Sequence, residues 1–406
     1  MTAPKIEHVA VIGGGVAGVA AAWAAHARGA RVSLYYGPAG ATELASGAAD
    51  LEPWAPAPAH GEDGVGSAED EGALTPTERE FLRALGYWCE GPARIATRVG
   101  VVRPCLARDP ALLDLEPLAG SIIGVACVER DDWDGAALAR TLESSTWAGR
   151  TGTRFRPEPL GILLEGYERR IPAADFAALF DEQRRRSLLL DELRGWRSRM
   201  PELGAILCGP WLGLEATTLQ EVQGALPVPV GECTSAPGGV AGLRFAAARA
   251  RLLQRLGVES QPEWVERVRP ARGGWELVTA SAASTGSAAA AAVGPFSCVV
   301  LAVGGLVSGG IEFTPRQETG SAFRLCVDVP VQFSIDGEPL EQVSSCYGFD
   351  PMTLRGAWIE RAGVHVDRAG RAGPRGLFAV GDVAAGRPRT VLAAARSAIK
   401  AVGAIG

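Results

Sequence analysis

The sequence predicts an α/β fold from three observations along its 406 residues. An apolar run at 9–12 leads into a glycine-rich turn and then an apolar helical stretch, which is how a dinucleotide-binding βαβ unit begins. Between residues 120 and 208, short apolar runs alternate with helical stretches, a pattern typical of a second α/β region. Near the end, an apolar strand ends in Gly-Asp before a helix. We therefore predict a dinucleotide-binding (Rossmann-like) domain, discontinuous in sequence, with an inserted second α/β region.

These observations also set the predicted domain boundaries. The first part of the dinucleotide-binding domain covers residues 1–119, and the inserted α/β region covers 120–225. The domain resumes at 226–320 with a helix, a β-meander and a glycine-rich strand end. A short insertion at 321–350 precedes the closing part, 351–406, which carries the Gly-Asp motif and the last helix.

Composition and charge exclude several classes of function. The chain is 47% hydrophobic and 21% charged, as expected of a globular protein. Its 40 basic and 46 acidic residues give a net charge of −6, so we expect no nucleic-acid partner. The eight cysteines are scattered singly, without a Cys-x-x-Cys pair. We therefore expect this chain to bind no metal or iron–sulfur cluster of its own.

The sequence predicts neither a secretory leader nor a membrane span. Glu7 directly precedes the first apolar run, and no small-residue cleavage site stands where a leader needs one. The apolar stretch at 9–27 is broken by glycines, and the uncharged stretch at 277–311 consists mostly of small residues with Pro295 inside. We expect a cytoplasmic protein with reduced thiols.

The individual elements follow from periodicity and from turn residues. The opening predicts a strand at 9–12, a helix at 16–28 that Gly29 ends, and a strand at 31–35, and the acidic, Pro- and Gly-rich stretch at 52–78 predicts a solvated loop. Further strands are predicted at 122–128, 160–164, 205–208, 264–268, 275–279, 288–293, 297–303 and 377–380, and further helices near 136–143 and at 176–196, 240–256 and 391–401.

The first turn carries a phosphate-binding pattern. Gly13, Gly15 and Gly18 form a Gly-x-Gly-x-x-Gly motif, with Gly14 inside it, between the first strand and the first helix. In this context the glycines permit a tight turn and close backbone approach, and a pyrophosphate can lie at the helix N-terminus. We assign all four glycines to cofactor binding.

One part of the pattern is missing. An acidic residue usually ends the second strand and holds the adenosine ribose. Tyr36 takes that place in this sequence, and Glu43, in the following loop, is the candidate substitute.

A late motif selects among the dinucleotide cofactors. Gly381 and Asp382 end an apolar strand in the sequence GLFAVGDV. Flavoproteins of the two-dinucleotide-binding type use the aspartate of such a motif to bond the ribityl chain, whereas a nicotinamide enzyme does not need it. We therefore predict a flavin held in part by Gly381 and Asp382. The alternative is that Asp382 only caps the following turn.

Six segments together resemble the B subunit of the anaerobic glycerol-3-phosphate dehydrogenases, within the FAD-dependent oxidoreductases of the fumarate reductase/succinate dehydrogenase flavoprotein type. The similarity spans most of the chain at low identity. The segments lie at 9–35, 41–54 (ATELASGAADLEPW), 100–104 (GVVRP), 236–258, 299–310 (VVLAVGGLVSGG) and 363–386.

The resemblance implies further flavin contacts and a reaction. Ser46 and Gly47 would pack small side chains on the flavin, and the turn at 302–305, with Gly304, would close over it. Hydride would pass from a small hydroxy substrate to the flavin. Electrons would leave through a partner: in the resembled enzyme a sister dehydrogenase subunit and an iron–sulfur subunit, which would place this chain at the inner face of the cell membrane.

The cofactor has two candidate identities. FAD follows from the glycine motif and Asp382 taken together. FMN is the cofactor usually assigned to the resembled subunit, and it would explain why no acid is present to hold a second ribose. We favour FAD.

Few residues are candidates for the catalytic base or for a cation that binds substrate. Of four histidines, His365 lies beside the late motif, and Arg244, near the start of the helix at 240–256, could face an anionic substrate. An exposed strand histidine and a surface ion pair are the structural alternatives. Two other functions stay open: a non-catalytic flavoprotein subunit that assists a sister dehydrogenase, and a stand-alone oxidoreductase with another small-molecule substrate.

Overall fold

The chain forms two compact units in the computed structural model. The model describes residues 7–37, 40–53, 73–281, 291–313, 323–335, 338–339 and 361–405. Unit 1 comprises Met1–Thr42, Asp50–Ala84 and Arg249–Gly406, and unit 2 comprises Glu43–Ala49 and Leu85–Ala248. Most of the predicted acidic loop at 52–78 and the first three residues of the predicted strand at 288–293 lie outside the described residues.

The elements are numbered in chain order. The helices are α1 (Val16–Ala27), α2 (Pro76–Leu85), α3 (Gly135–Glu143), α4 (Thr146–Thr151), α5 (Ala173–Leu179), α6 (Gln183–Arg199), α7 (Ala216–Gly224), α8 (Val240–Leu256) and α9 (Val391–Gly403). The strands are β1 (His8–Ile12), β2 (Arg31–Tyr35), β3 (Ala48–Ala49), β4 (Cys89–Ala96), β5 (Val102–Arg108), β6 (Ile122–Cys127), β7 (Arg154–Pro159), β8 (Leu203–Cys208), β9 (Val230–Glu232), β10 (Glu259–Gln261), β11 (Glu263–Ala271), β12 (Gly274–Ser281), β13 (Ala291–Phe296), β14 (Cys298–Leu301), β15 (Ile311–Phe313), β16 (Phe323–Leu325), β17 (Phe333–Ile335), β18 (Glu338–Pro339), β19 (Gly363–Val364) and β20 (Leu377–Ala379).

Unit 1 is built on a five-stranded parallel sheet in the order β10-β2-β1-β14-β20. Its central strand β1 is an unbroken apolar run because both of its faces are covered: Val9, Ala10 and Val11 are fully buried. Since β1, α1 and β2 follow one another directly, this is the arrangement that the glycine motif predicts. The predicted dinucleotide-binding fold is confirmed.

Two small-residue helices of unit 1 pack against each other. Helix α1 is buried along its first ten residues, and seven of its twelve residues are alanine, so neighbouring backbone can approach closely. A side chain at Gly381 would come within 2.7 Å of the Ala17 Cβ and 3.5 Å of the Ala394 Cβ on α9. The Gly-Asp loop therefore sits directly on α1 and α9.

Antiparallel sheets complete unit 1. Strands β11, β12 and β13 form a three-stranded meander, β15 pairs with β16, and β17 lies between β18 and β19. The predicted strands at 264–268 and 275–279 correspond to β11 and β12, which are longer at both ends.

Unit 2 contains a four-stranded parallel sheet in the order β7-β6-β8-β9 and an antiparallel sheet in the order β3-β5-β4. Trp196 on α6 packs on β6 at Gly124, where a Cβ would lie only 2.3 Å from the indole ring. The predicted second α/β region is confirmed by this sheet. Among the described residues, no helix is both long enough and apolar enough to cross a bilayer.

Two predicted elements of unit 2 are wrong. The described residues 160–164 form no strand. The strand in this part of the chain is β7, which precedes them and lies at the edge of the sheet. Its sequence is polar because most of its side chains are exposed there. The predicted helix at 176–196 is two helices, α5 and α6. Asp181 lies between the two helices, and its carboxylate accepts hydrogen bonds from the Leu214 and Glu215 amides.

The compact units and the predicted domain boundaries divide the chain differently at three places. Residues 43–49 and 85–119 belong to unit 2, where β3, β5 and β4 form one sheet. Residues 226–248 also belong to unit 2, where β9 extends the sheet beside β8. Which segments make up the flavin-binding domain stays a prediction.

Candidate functional site

A groove in unit 1 runs along the carboxyl ends of the parallel strands. It encloses about 860 Å³ between protein atoms, its open mouth included. Such edges are where doubly wound sheets bind ligands, because the connecting loops diverge there. Its walls come from residues 12–17 after β1, 35–37 and 40–42 after β2, Arg249, 263–265 at the start of β11, 302–304 after β14, 308–310, 326–327, Asp382 after β20, and Ala394.

Two glycines of the first turn are required by the protein itself. Gly13 has a φ of +117°, and a Cβ there would lie 2.1 Å from the Ala302 carbonyl oxygen. A Cβ at Gly18 would lie 1.8 Å from the Gly13 carbonyl oxygen. These positions hold the turn after β1 against the end of β14 and against α1.

Gly15 has a different reason to be glycine. Its backbone, with φ −71° and ψ −179°, suits any residue. Within the described part of the chain, the single atom closer than 4 Å to a Cβ there is the Thr42 hydroxyl oxygen, at 3.2 Å. A side chain at Gly15 would therefore enter the groove at the N-terminus of α1, and its absence leaves this space open for a ligand.

The N-terminus of α1 favours an anion. Its first turn has no acidic residue, and no side chain of Gly15 can cap it. The Val16 amide donates to the Thr42 hydroxyl over 3.0 Å. This hydroxyl is therefore a polar group at the edge of the groove, next to the N-terminus of the helix. The positive end of the dipole and the first-turn amides attract negative charge.

The far end of the groove lies where the predicted ribose-binding acid is missing. The Arg249 guanidinium lies 5.3 Å from the Tyr36 ring centroid and donates to the Gly14 carbonyl over 2.9 Å. Glu263, at the start of β11, lines the groove beside them. Burial, and after it the negative charge of Glu263, raise the pKa of Tyr35. The Glu263 carboxylate therefore lies close enough to this end of the groove to act on its side chains.

Sequence reasoning missed Arg249 and Glu263. Both lie more than 200 residues from the glycine turn in the chain, and no local motif marks either residue. One signal points to Glu263: β11 starts immediately after β10, which pairs with β2. Residues 263–265 therefore lie beside the end of β2, where the ribose-binding acid is expected.

Glu43, Ser46 and Gly47 lie in unit 2. The Glu43 carbonyl oxygen lies against Gly242, where a Cβ would come within 1.9 Å of it. The Ser46 carbonyl accepts from the Ser235 amide over 3.0 Å, and the Gly47 carbonyl from the Asp109 amide over 2.7 Å. The flavin contacts of these three residues stay a prediction.

Asp382 brings a carboxylate to the groove from the end of β20. Burial raises its pKa, and the nearby charge of Arg389 opposes that effect. Its carboxylate has no hydrogen bond to any described residue. Helix α9 is instead capped by Thr390, whose hydroxyl accepts from the Ala393 amide over 3.3 Å, so Asp382 does not act as the cap of that helix.

Of the two remaining cofactor candidates, Gly304 lines the groove after β14, where a Cβ would lie 1.9 Å from the Ser308 hydroxyl. Gly381 does not line the groove. Its amide donates to the Ser397 hydroxyl over 2.7 Å, which fixes the loop that carries Asp382. The structure thus brings Gly13, Gly14, Gly15, Gly304 and Asp382 together in one groove.

Arg244 does not face an open site. It lies in unit 2, 4% exposed, and all five of its N–H groups are engaged. They donate to the Gly213 carbonyl and to the carboxylates of Asp109 and Glu232, and the shortest of the carboxylate contacts, to Glu232, is 2.7 Å. The expectation that Arg244 binds an anionic substrate is corrected accordingly: its partners are buried carboxylates of its own unit.

The arginine and the two carboxylates depend on one another. Burial raises the pKa of Glu232 and Arg244 opposes that rise. Burial alone would lower the pKa of Arg244, but the charges of Glu232 and Asp109 outweigh it and raise that pKa. The group stabilises unit 2 only while it is complete.

His365 lies directly after β19 and is half-buried. Its amide donates to the Gln332 carbonyl over 2.7 Å. It does not line the groove; it lines a second cavity of unit 1. A catalytic role for His365 stays a prediction.

Comparisons with known proteins give only weak structural similarity. No family model matches the chain, and no curated protein matches it. Among solved structures, FqzB is 11% identical, covering 76% of this chain and 41% of its own, with a TM-score of 0.25. The iminodiacetate oxidase of Chelativorans sp. BNC1 is 16% identical, covering 98% and 95%, with a TM-score of 0.31. An HpxO variant of Klebsiella pneumoniae, complexed with FAD, is 12% identical, covering 97% and 79%, with a TM-score of 0.30.

We expect Arg244→Gln to destabilise the protein by about 3–5 kcal/mol, because it leaves two buried carboxylates without their counter-charge. Chemical denaturation at neutral pH measures this. The matched control is Arg251→Gln, an exposed arginine of the same helix, for which the change should stay within about 0.5 kcal/mol. Equal stability of the two variants would contradict the structural role of Arg244.

Proposed function

We propose that this chain binds FAD in the groove of unit 1 and acts as a flavin-dependent oxidoreductase. The observation that carries the proposal is a pair of features in one groove: space left open by Gly15 at the N-terminus of α1, and the half-buried Asp382 carboxylate without a hydrogen-bond partner among the described residues. The first suits a pyrophosphate. The second suits a hydroxyl donor such as a ribityl chain.

The groove residues fit such a cofactor. The turn at Gly13–Gly15 would hold the pyrophosphate through backbone amides, and Asp382 would accept hydrogen bonds from the ribityl hydroxyls. A bound flavin supplies the capacity to accept a hydride. The chain itself fixes the position of the ligand and supplies the local charge.

The residues that line the groove favour FAD over FMN. Asp382 lines one part of it, while Tyr36, Arg249 and Glu263 line another. FMN has no adenosine, so it would leave the latter part without a function. The Glu263 carboxylate also offers an acceptor for ribose hydroxyls, in place of the acid that the end of β2 lacks.

The substrate and the partners are finer proposals that rest on the sequence resemblance alone. On that basis the substrate is a small hydroxy compound, and electrons pass to a sister dehydrogenase subunit and an iron–sulfur subunit. Purification with and without co-expressed partners, followed by turnover assays, distinguishes this from a non-catalytic flavoprotein subunit and from a stand-alone oxidoreductase. Turnover by the chain alone would argue against the need for a partner.

We expect the purified protein to carry about one non-covalent flavin per chain. Absorbance measures the stoichiometry, and the mass of the cofactor released by heat identifies it as FAD or FMN. Colourless protein that also fails to take up added FAD and FMN would falsify the proposed function.

We expect Gly15→Val to abolish flavin binding while the fold survives, because the new side chain enters the groove and displaces only the Thr42 hydroxyl. Circular dichroism and flavin titration on the same sample measure both properties. The control is Gly149→Val, a helical position with no described atom within 4 Å of a Cβ. Retention of flavin at the wild-type ratio would mean that this turn does not face the cofactor.

We expect Asp382→Asn to weaken flavin binding about tenfold to a hundredfold, since one or more charge-assisted hydrogen bonds are lost. The flavin-free variant should nevertheless be more stable than the flavin-free wild type at neutral pH. The folded-state pKa of Asp382 is raised, so the wild type loses stability as the pH rises from about 4 through that raised value, and the variant does not.

Denaturation of the flavin-free wild type and the flavin-free variant between pH 4 and neutral pH tests this prediction, with the exposed Asp191→Asn as control. We expect the stability advantage of the variant over the wild type to grow as the pH rises. An advantage that shrinks instead would show that a partner stabilises the ionised Asp382. Unchanged flavin affinity would remove Asp382 from the proposed site.

A further inference from the structure

Unit 1 has a second cavity, separate from the groove, whose lining is cationic. It encloses about 1070 Å³ by the same measure as the groove, its open mouth included, and lies between β17, the residues around β19 and the loop that follows Asp382. Among the described residues that line it, three arginines and a histidine accompany a single acid. They are Arg361, Arg387, Arg389, His365 and Glu52.

The loop that forms one wall is fixed by backbone contacts. The Ala385 amide donates to the Val364 carbonyl over 2.9 Å, and the Gly386 amide to the Arg361 carbonyl over 3.1 Å. Gly363 makes this approach possible, because a Cβ there would lie 2.6 Å from the Val383 carbonyl oxygen. The cavity is therefore held by the fold rather than by mobile side chains.

Arg389 links the cavity to the Gly-Asp motif. Its guanidinium donates to the Ala362 carbonyl over 2.7 Å, and a side chain at Gly305 would collide with it, 2.8 Å from Nη1. Its charge also acts on the Asp382 carboxylate. The arginine therefore lies between the cavity it lines and the residue that borders the groove.

A buried hydroxyl points to a ligand in the cavity. Ser334, on β17, is 1% exposed, lines the cavity, and its hydroxyl has no hydrogen-bond partner within the described part of the chain. Side chains alternate along a strand, so Ser334 lies opposite Phe333 and Ile335, which pack in the apolar core. A buried hydroxyl without a partner is costly and uncommon in native proteins.

We propose that this cavity binds the carboxylate or phosphate group of a small molecule, and that this molecule is the substrate of the proposed flavin-dependent reaction; the second part rests on the proposed function. Guanidinium groups match the planar fork of such oxyanions. The Ser334 hydroxyl donates to the same anionic group, and His365 lies on the same wall. The substrate class is thus a small organic acid or phosphate ester.

Isothermal titration calorimetry of the full chain with inorganic phosphate and with malonate tests the anion site directly. We expect saturable binding of at least one probe, and the stronger of the two identifies the anionic group. Arg387→Gln and Ser334→Ala should each weaken that binding about tenfold or more. Arg375→Gln removes an exposed arginine outside the cavity and should leave the binding unchanged.

Melting temperatures separate binding from folding. Ser334→Ala should melt at or above the wild-type temperature, because it removes a buried hydroxyl whose hydrogen bond the folded chain does not supply. Absence of saturable binding of both probes, or equal loss in the cavity variants and Arg375→Gln, would overturn the anion site.

The substrate assignment has its own readout. We expect the bound probe to shift the visible spectrum of flavin-loaded protein, and the shift to be lost in Arg387→Gln. Binding without a spectral shift would overturn the substrate assignment and leave the anion site. Anion binding by a chain that takes up no flavin would overturn the proposed function alone.

Discussion

The structure of unit 1 depends on one close approach: the turn after β1 lies directly against the end of β14. At Gly13 a single added carbon would lie 2.1 Å from the Ala302 carbonyl oxygen, and at Gly18 it would lie 1.8 Å from the carbonyl of Gly13. Because no side chain intervenes, α1 begins at the edge of the sheet, and its N-terminal amides face the space above the neighbouring strands. That space is the groove.

Small residues also allow close backbone approach at the end of the groove that Asp382 lines. Gly381 lets the loop after β20 rest on Ala17 and Ala394, and the Ser397 hydroxyl fixes its amide. Asp382 therefore lies at the groove, and its carboxylate has no hydrogen bond to a described residue. Gly363 admits the next part of the same loop, which forms a wall of the second cavity. Two glycine-dependent contacts therefore set the geometry of both candidate sites.

Charge is used in two distinct ways in this chain. In unit 2, Arg244 is surrounded by the carboxylates of Asp109 and Glu232, and its charge serves stability. In unit 1, Arg361, Arg387 and Arg389 collect on one cavity with Glu52 as the acid beside them. Forty basic residues, nearly all arginine, look alike in the sequence. Only their surroundings in the fold separate a buried structural cation from arginines that line an open cavity.

The βαβ opening, the second α/β region and helix α8 could be predicted from the sequence, because hydrophobic period and glycine position are local signals. The glycine turn and Asp382 were also predicted as site residues, since both motifs are contiguous, and Gly13, Gly14, Gly15 and Asp382 line one groove. Two predictions from the sequence were wrong. The strand β7 was missed because it lies at the sheet edge and has a polar sequence. The break between α5 and α6 was also missed; it lies at Asp181, whose carboxylate accepts a hydrogen bond from a distant amide. Tertiary contacts enclose Arg244, bring Glu263 and Arg249 to the groove, and place Ser334 at the cationic cavity. Those placements come from contacts between residues far apart in the chain, and no local pattern records them.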